Sequence, residues 1–242
     1  MPRMKCLALE TSTEQVSVAA CDGARLAVRE APGGAQASLT LLPAIEQVLA
    51  ELGLSLGELQ AIAFGQGPGA FTGLRTACAV AQGLALGASK PLLGIDSLCL
   101  VAQSARSQHP EVSRVLVTLD ARMGQVYWGA VQWQGTHWAH ELPIAVSHPE
   151  HVMWPTGWRA DDGRTLVAGT WVDSASTSRE QVLGPHAWMP ARPQAQALLS
   201  LAPAAWDRGL AMQPEAAAPL YVRNKVAQTT AEREAMRAGA QA

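Results

Sequence analysis

The chain has 242 residues, enough for one large domain or two of ordinary size, and is 48% hydrophobic and 16% charged with a mean hydropathy of +0.06. A formal net charge of −2 and a pI near 6.3 exclude a global basic field of the kind that draws nucleic acid. No apolar run approaches the ~20 residues that cross a bilayer, and Met1-Pro2-Arg3-Met4-Lys5 leads straight into a strand-like run, so the expectation is a cytoplasmic protein without a membrane.

Cys6-Leu7-Ala8-Leu9-Glu10 reads as a strand ending on an acid, and Thr11 to Glu14 supplies turn chemistry. Val16 to Cys21 alternates as a second strand, Asp22-Gly23 marks a hairpin, and Ala24 to Glu30 returns as a third. Beyond Pro32-Gly33-Gly34, apolar residues recur at helical spacing from Ser38 to Leu52, with Ser38 a candidate N-cap and Gly53 a C-cap. A short strand, Gln60–Phe64, leads into Gly65-Gln66-Gly67-Pro68-Gly69-Ala70-Phe71-Thr72-Gly73-Leu74-Arg75 and then an Ala-rich helix from Gly73 to Ala88. Pro91–Asp96 is a further strand, after which Ser97 can cap a helix reaching Ser107.

A second meander begins after His109-Pro110. Val115–Asp120 is a strand ending on an acid, Ala121-Arg122-Met123-Gly124 a turn, and Gln125–Trp133 an alternating strand. Leu9-Glu10, four residues, Gln15-Val16 thus matches Leu119-Asp120, four residues, Gln125-Val126, at an offset of 110 residues. The order of elements agrees as well, which reads as a duplicated domain led by three strands. Beyond Pro143 the pattern weakens, with tryptophans at 154, 158, 171, 188 and 206 among Pro, Gly and polar residues. A short strand Leu166–Gly169 and a helix within Pro193–Gly209 follow. The expected division is 1–108, 109–226 with 219–226 able to return to the first half, and a flexible tail from 227 to 242.

The glycine loop, with Gly65, Gly67, Gly69 and Gly73 around Thr72 and Arg75, is the candidate anion or nucleotide site, because bare backbone N–H groups precede a positive helix end. It lacks the Lys of a P-loop. Gly65, Gly67 and Ala70 after a strand, with Asp96 ending the next, instead fit an NAD-binding fingerprint, against which stand Pro68, the preceding meander and the duplication. Glu10 and Asp120 end equivalent strands and could share a cleft as a metal-binding or acid–base pair, although such acids often just cap a turn. The spaced pairs His137/His140 and His148/His151 have no Cys nearby in sequence and read as surface residues, and the four cysteines, without CxxC spacing, as buried thiols in a reducing compartment. Neither a metal set nor a catalytic residue is assigned. Ala79, Gly83 and Gly87 repeat every four residues, a stripe that permits close helix approach, either within the fold or against a partner.

Leu9-Glu10-Thr11-Ser12-Thr13, the loop from Gly65 to Arg75, Gln82-Gly83-Leu84-Ala85 and Asp120-Ala121-Arg122-Met123-Gly124-Gln125-Val126-Tyr127 together resemble the TsaB (YeaZ) family, and Pro219-Leu220-Tyr221-Val222-Arg223 resembles its closing motif. The resemblance implies a duplicated actin-like ATPase (ASKHA, ribonuclease H-like) α/β fold. It also implies a degenerate relative of the catalytic subunit TsaD, whose His-x-x-x-His metal site has no counterpart here. The implied role is a non-catalytic subunit that binds TsaD, with the ATPase TsaE, for threonylcarbamoyl transfer to adenosine 37 of ANN-decoding tRNA (t6A). Such a chain holds no cofactor of its own, ATP or ADP belonging to the complex interface. The tRNA is reached through the complex, and the chain alone can form a homodimer. The first two helices would make the contact, through Leu39, Leu42, Ile45 and the Ala79/Gly83/Gly87 face. Two departures, Glu10 where the phosphate loop carries Asp and Ala37 where relatives carry His, lower the case for independent nucleotide chemistry. The alternatives are an ASKHA-fold kinase or peptidase-like enzyme with its own ATP site, and the NAD-binding enzyme.

Overall fold

Alternation along the first strand sets the layering. In β1 (Lys5–Glu10) the larger Leu7 and Leu9 point to one side, and the smaller Cys6 and Ala8 to the other. The same division holds in β2 (Gln15–Asp22) and β4 (Ala61–Gly67), where Val16, Val18, Ile62 and Phe64 share the first side and Ala19, Ala61 and Ala63 the second. The bulky side is covered by α1 (Ala37–Leu52) and α2 (Phe71–Ala88). The small side lets α3 (Ser97–Gln108) and α4 (Ala195–Asp207) approach closely, and both helices lie between the two sheets. The computed structural model describes residues 4–159, 162–171 and 188–223, so the tail expected from 227 lies outside the described residues.

With β3 (Arg25–Pro32) and β5 (Leu92–Asp96), the first sheet runs β3-β2-β1-β4-β5, antiparallel through the meander and parallel from β1 to β5. The second sheet contains β6 (Arg114–Asp120), β7 (Val126–Trp133), β8 (Trp138–Ser147), β9 (Thr165–Gly169) and β10 (Trp188–Pro190). Its order is β8-β7-β6-β9-β10, with the same senses. Each half therefore repeats one topology, and the duplicated ASKHA-type α/β fold expected from the motifs is present.

Local chemistry shifts several boundaries. Asp96, not Ser97, caps α3, its Oδ1 accepting the Cys99 N–H at 2.9 Å, because a carboxylate reaches an N3 amide that a buried hydroxyl inside the helix does not. Helix α1 starts at Ala37 with Gln36 as an N-cap that makes no side-chain bond, while Gly53 ends it in the left-handed conformation at φ 64°. Helix α2 starts at Phe71, two residues before the expected Gly73. β8 runs through Pro143, which an edge strand tolerates because one side of its ladder is unpaired. Trp158 and Trp171 pack with Leu116, Val126, Trp128 and Val167 on the outer face of the second sheet, with Trp154 and Trp188 against them, whereas Trp206 stands exposed on α4.

Candidate functional site

The β1–β2 and β6–β7 turns, the glycine loop, Thr170, Arg192 and residues 220–223 line one cleft of about 900 Å3. The loop therefore shares its cleft with the turns of both hairpins. Pro68, Gly69, Ala70, Phe71, Thr72, Gly73 and Leu74 line the same cleft as Ser12–Gln15 and Asp120–Met123. The loop reaches it by lying directly on the β1–β2 turn. Ala70 N–H donates to Ser12 O at 2.8 Å, and Thr11 Oγ1 donates to Gly73 O at 2.6 Å. A Cβ on Gly73 would overlap Thr11 O, and one on Gly69 would press on Ser12, so close packing accounts for glycine at both positions.

The predicted loop set separates. Gly69, Thr72 and Gly73 line the cleft, whereas Gly65, Gly67 and Arg75 do not. Gly67, at φ +104°, lies against Leu74 and Leu220, and Leu220 N–H donates to Gln66 O at 2.7 Å. Arg75 stacks over the Phe71 ring at 3.8 Å and donates from Nε to Tyr221 Oη at 3.0 Å, so its charge holds the closing segment.

Glu10 and Asp120 do not share the cleft. Glu10 is 1% exposed and lies beneath Gly65, where a Cβ would overlap its Oε2; Oε1 accepts the Ser12 N–H. Burial holds this carboxyl above its ordinary range, against hydrogen bonds from Ser12 and Thr11 that lower it. Asp120 is exposed in the cleft, accepts the Arg122 N–H at 2.8 Å through Oδ1, and donates its own N–H to Thr170 Oγ1 at 3.2 Å. The β6–β7 turn holds Arg122, Met123 and Gly124 at φ 62°, 58° and 69°, an unusual left-handed run. It carries the Arg122 guanidinium across the cleft to Glu14, on the opposite hairpin. Arg223 bonds Ala121 O at 3.0 Å and Gln125 Oε1 at 2.7 Å, and Arg192 bonds Glu30 at 2.6 Å. Sequence reasoning missed these arginines because their partners are up to 162 residues away; the repeat of the two hairpins was the one signal that their turns face each other.

Asp96 does not line the cleft, and both its carboxylate oxygens are engaged, with Cys99 N–H and with His140 at 3.2 Å. It is therefore not placed as a ribose-binding acid for Gly65, Gly67 and Ala70. His140 is exposed, as expected of a surface histidine, yet the fold brings Cys99 Sγ, distant in sequence, to 4.0 Å from its Nε2. His148 faces Gly124 O at 3.2 Å, and His151 is exposed.

On the outer side, Leu39 is 75% and Leu42 47% exposed, whereas Ile45 is 3% exposed in the core with Leu41 and Val48. Residues 39, 42 and 45 cannot share a face: at 3.6 residues per turn, two steps of three rotate the position by about 120°. Ala79, Gly83 and Gly87 remain on one exposed face of α2, with Leu86 53% exposed beside them. A Cβ at Gly83 or Gly87 would meet nothing within 4 Å. Among the described residues, therefore, nothing packs against the stripe at Gly83 or Gly87.

Comparison with known proteins places these features. The family model described as "TsaD: tRNA N6-adenosine threonylcarbamoyltransferase" matches residues 32–169. The tRNA threonylcarbamoyladenosine biosynthesis protein TsaB of Escherichia coli K12 is 33% identical over 237 residues, 93% of this chain and 96% of that protein. Its Haemophilus influenzae counterpart is 32% identical over the same shares. The solved structure of YeaZ from Pseudomonas aeruginosa superposes with a TM-score of 0.79 at 38% identity, covering 90% of this chain and 99% of that one.

Proposed function

Because this chain belongs to the TsaB (YeaZ) family, we propose that it serves tRNA threonylcarbamoyladenosine biosynthesis as a non-catalytic subunit that binds and supports TsaD, with TsaE joining the complex. The observation that carries the reading is the outward side of α1 and α2: among the described residues Leu39 and Leu42 stand exposed on α1, and Leu86 on α2 beside the small residues Ala79, Gly83 and Gly87. Small residues let a partner helix approach closely, and the leucines supply apolar area worth ~25 cal/mol per Å2 when covered. The cleft supports the same reading, since Arg122, Arg192 and Arg223 are each committed to bonds within the chain. In this account the tRNA is met through the complex, ATP or ADP binds at the complex interface rather than to the chain alone, and the same helix face accounts for a homodimer when TsaD is absent.

The test is capture of TsaD on a sizing column. Gly83→Leu adds bulk where the monomer has open space, so it abolishes co-elution while leaving the melting temperature unchanged. Unchanged co-elution of a folded Gly83→Leu chain overturns the assignment of this face.

One observation favours a second reading. The loop residues Gly69, Thr72 and Gly73 and both hairpin turns line a single cleft, the arrangement an ASKHA enzyme with its own ATP site would need. Calorimetry of the isolated chain separates the two: the subunit reading expects no heat with ATP, ADP or NAD, and saturable ATP binding favours the second.

A further inference from the structure

Three side chains of different chemistry converge where the two sheets meet on the side of β5 and β8. Asp96 ends β5 and caps α3, Cys99 follows one helical turn later, and His140 arrives from β8. Asp96 Oδ2 lies 3.2 Å and Cys99 Sγ 4.0 Å from His140 Nε2, and one ligand atom from each residue lies within 4.8 Å of the others. A tetrahedral zinc ion, with bonds of roughly 2.0 Å to oxygen and nitrogen and 2.3 Å to sulfur, sets its ligand atoms about 3.3–3.7 Å apart. The Asp96–His140 pair already stands at about one tetrahedral edge, and Cys99 Sγ, 4.0 Å from His140 Nε2, closes in on binding.

The surroundings fix the ligands. Asp96 Oδ1 accepts the Cys99 N–H, which leaves Oδ2 directed at the histidine. Cys99 is 6% exposed, whereas the His140 side chain is 31% exposed, so solvent reaches the cluster from the histidine side. A thiol, an imidazole and one carboxylate suit a borderline-soft ion such as zinc rather than calcium or magnesium, which take oxygen ligands. None of the three residues lines the cleft.

We propose that Asp96, Cys99 and His140 form a site for a divalent transition metal ion, zinc by ligand chemistry, with water as the fourth ligand, tying β8 of one sheet to the β5–α3 junction of the other. On binding, the Cys99 S–H proton passes to solvent as the metal–thiolate bond forms, and the His140–Asp96 hydrogen bond gives way to two metal bonds, the Nε2 proton going to solvent from a charged ring or to Nδ1 by tautomer exchange in a neutral one. Burial, with the Asp96 carboxylate adding to it, holds the free thiol well above its ordinary range, and the nearby Arg208 partly offsets both. The charge of the ion is what drives the proton off. Sequence spacing conceals the site because His140 stands 41 residues from Cys99.

The test is titration of the full chain with Co2+, followed by displacement with Zn2+. One equivalent binds, with a thiolate-to-cobalt charge-transfer band that Zn2+ abolishes and that Cys99→Ser lacks. His140→Ala, at an exposed position on an edge strand, weakens cobalt binding at least about tenfold while keeping the far-ultraviolet circular dichroism of the parent chain. Absence of binding, binding without the thiolate band, or a band that survives Cys99→Ser each overturns the proposal.

Discussion

Glu10 sets a pH dependence that no surface carboxylate would produce. Its carboxyl is held above the ordinary value of 4.5 by burial, so between 4.5 and its raised pKa the folded chain binds a proton that the unfolded chain releases. Its contribution to stability is full below 4.5 and is lost as pH rises through the folded pKa. Glu10→Gln removes that loss, so this variant melts higher than the parent at pH 8, and the difference shrinks as the pH falls towards 4.5. Melting curves across that range check it; a variant that melts lower at pH 8 contradicts the assignment. Gly65 is coupled to the same group. Gly65→Ala drives a methyl into Glu10 Oε2 and costs about 1–3 kcal/mol, read as a lower denaturation midpoint, whereas Gly83→Ala, in open space, has no such clash.

At the scale of elements, the N-terminus of α4 is held by the first sheet. Ser17 Oγ accepts the Ala195 N–H at 3.0 Å, between residues that are 4% and 0% exposed. Ser17→Ala leaves that buried amide without its partner and costs about 1–3 kcal/mol, a fall of roughly 2–12 °C for a domain of this size. A shift under 1 °C in a thermal melt would mean that the helix is held by packing on Ala8, Ala19 and Ala63 alone. The same packing explains why α4 was legible as a helix but not as a layer between the sheets. Its apolar residues show a face; nothing in a local window shows that the face meets small residues nearly two hundred positions earlier.

Over the whole molecule, the repeat was the most legible feature. Two acid-ended strands, two four-residue turns and two glutamine-led strands announced a topology that the sheets carry twice. The glycine loop was legible as a strand-to-helix turn, but its place on the β1–β2 turn depends on contacts from Thr11 and Ser12 to Ala70 and Gly73 that local sequence does not carry. The site was legible in part for the same reason. Exposed Leu39 and Leu42 and the Ala79/Gly83/Gly87 stripe follow from helical geometry, while Ile45 belongs to the core because its spacing turns it inward. The cross-cleft bond from Arg122 to Glu14 and the Asp96–Cys99–His140 cluster join distant positions, so only the folded chain brings them together.

The central claim is that this chain supports a partner's chemistry through its α1–α2 face. The most direct measurement is reconstituted threonylcarbamoyl transfer to tRNA with TsaD, TsaE and the threonylcarbamoyl donor. The account predicts that t6A falls to background when this chain is omitted, returns when it is added, and is not restored by folded Gly83→Leu. Full modification without the chain, or full rescue by Gly83→Leu, would contradict it.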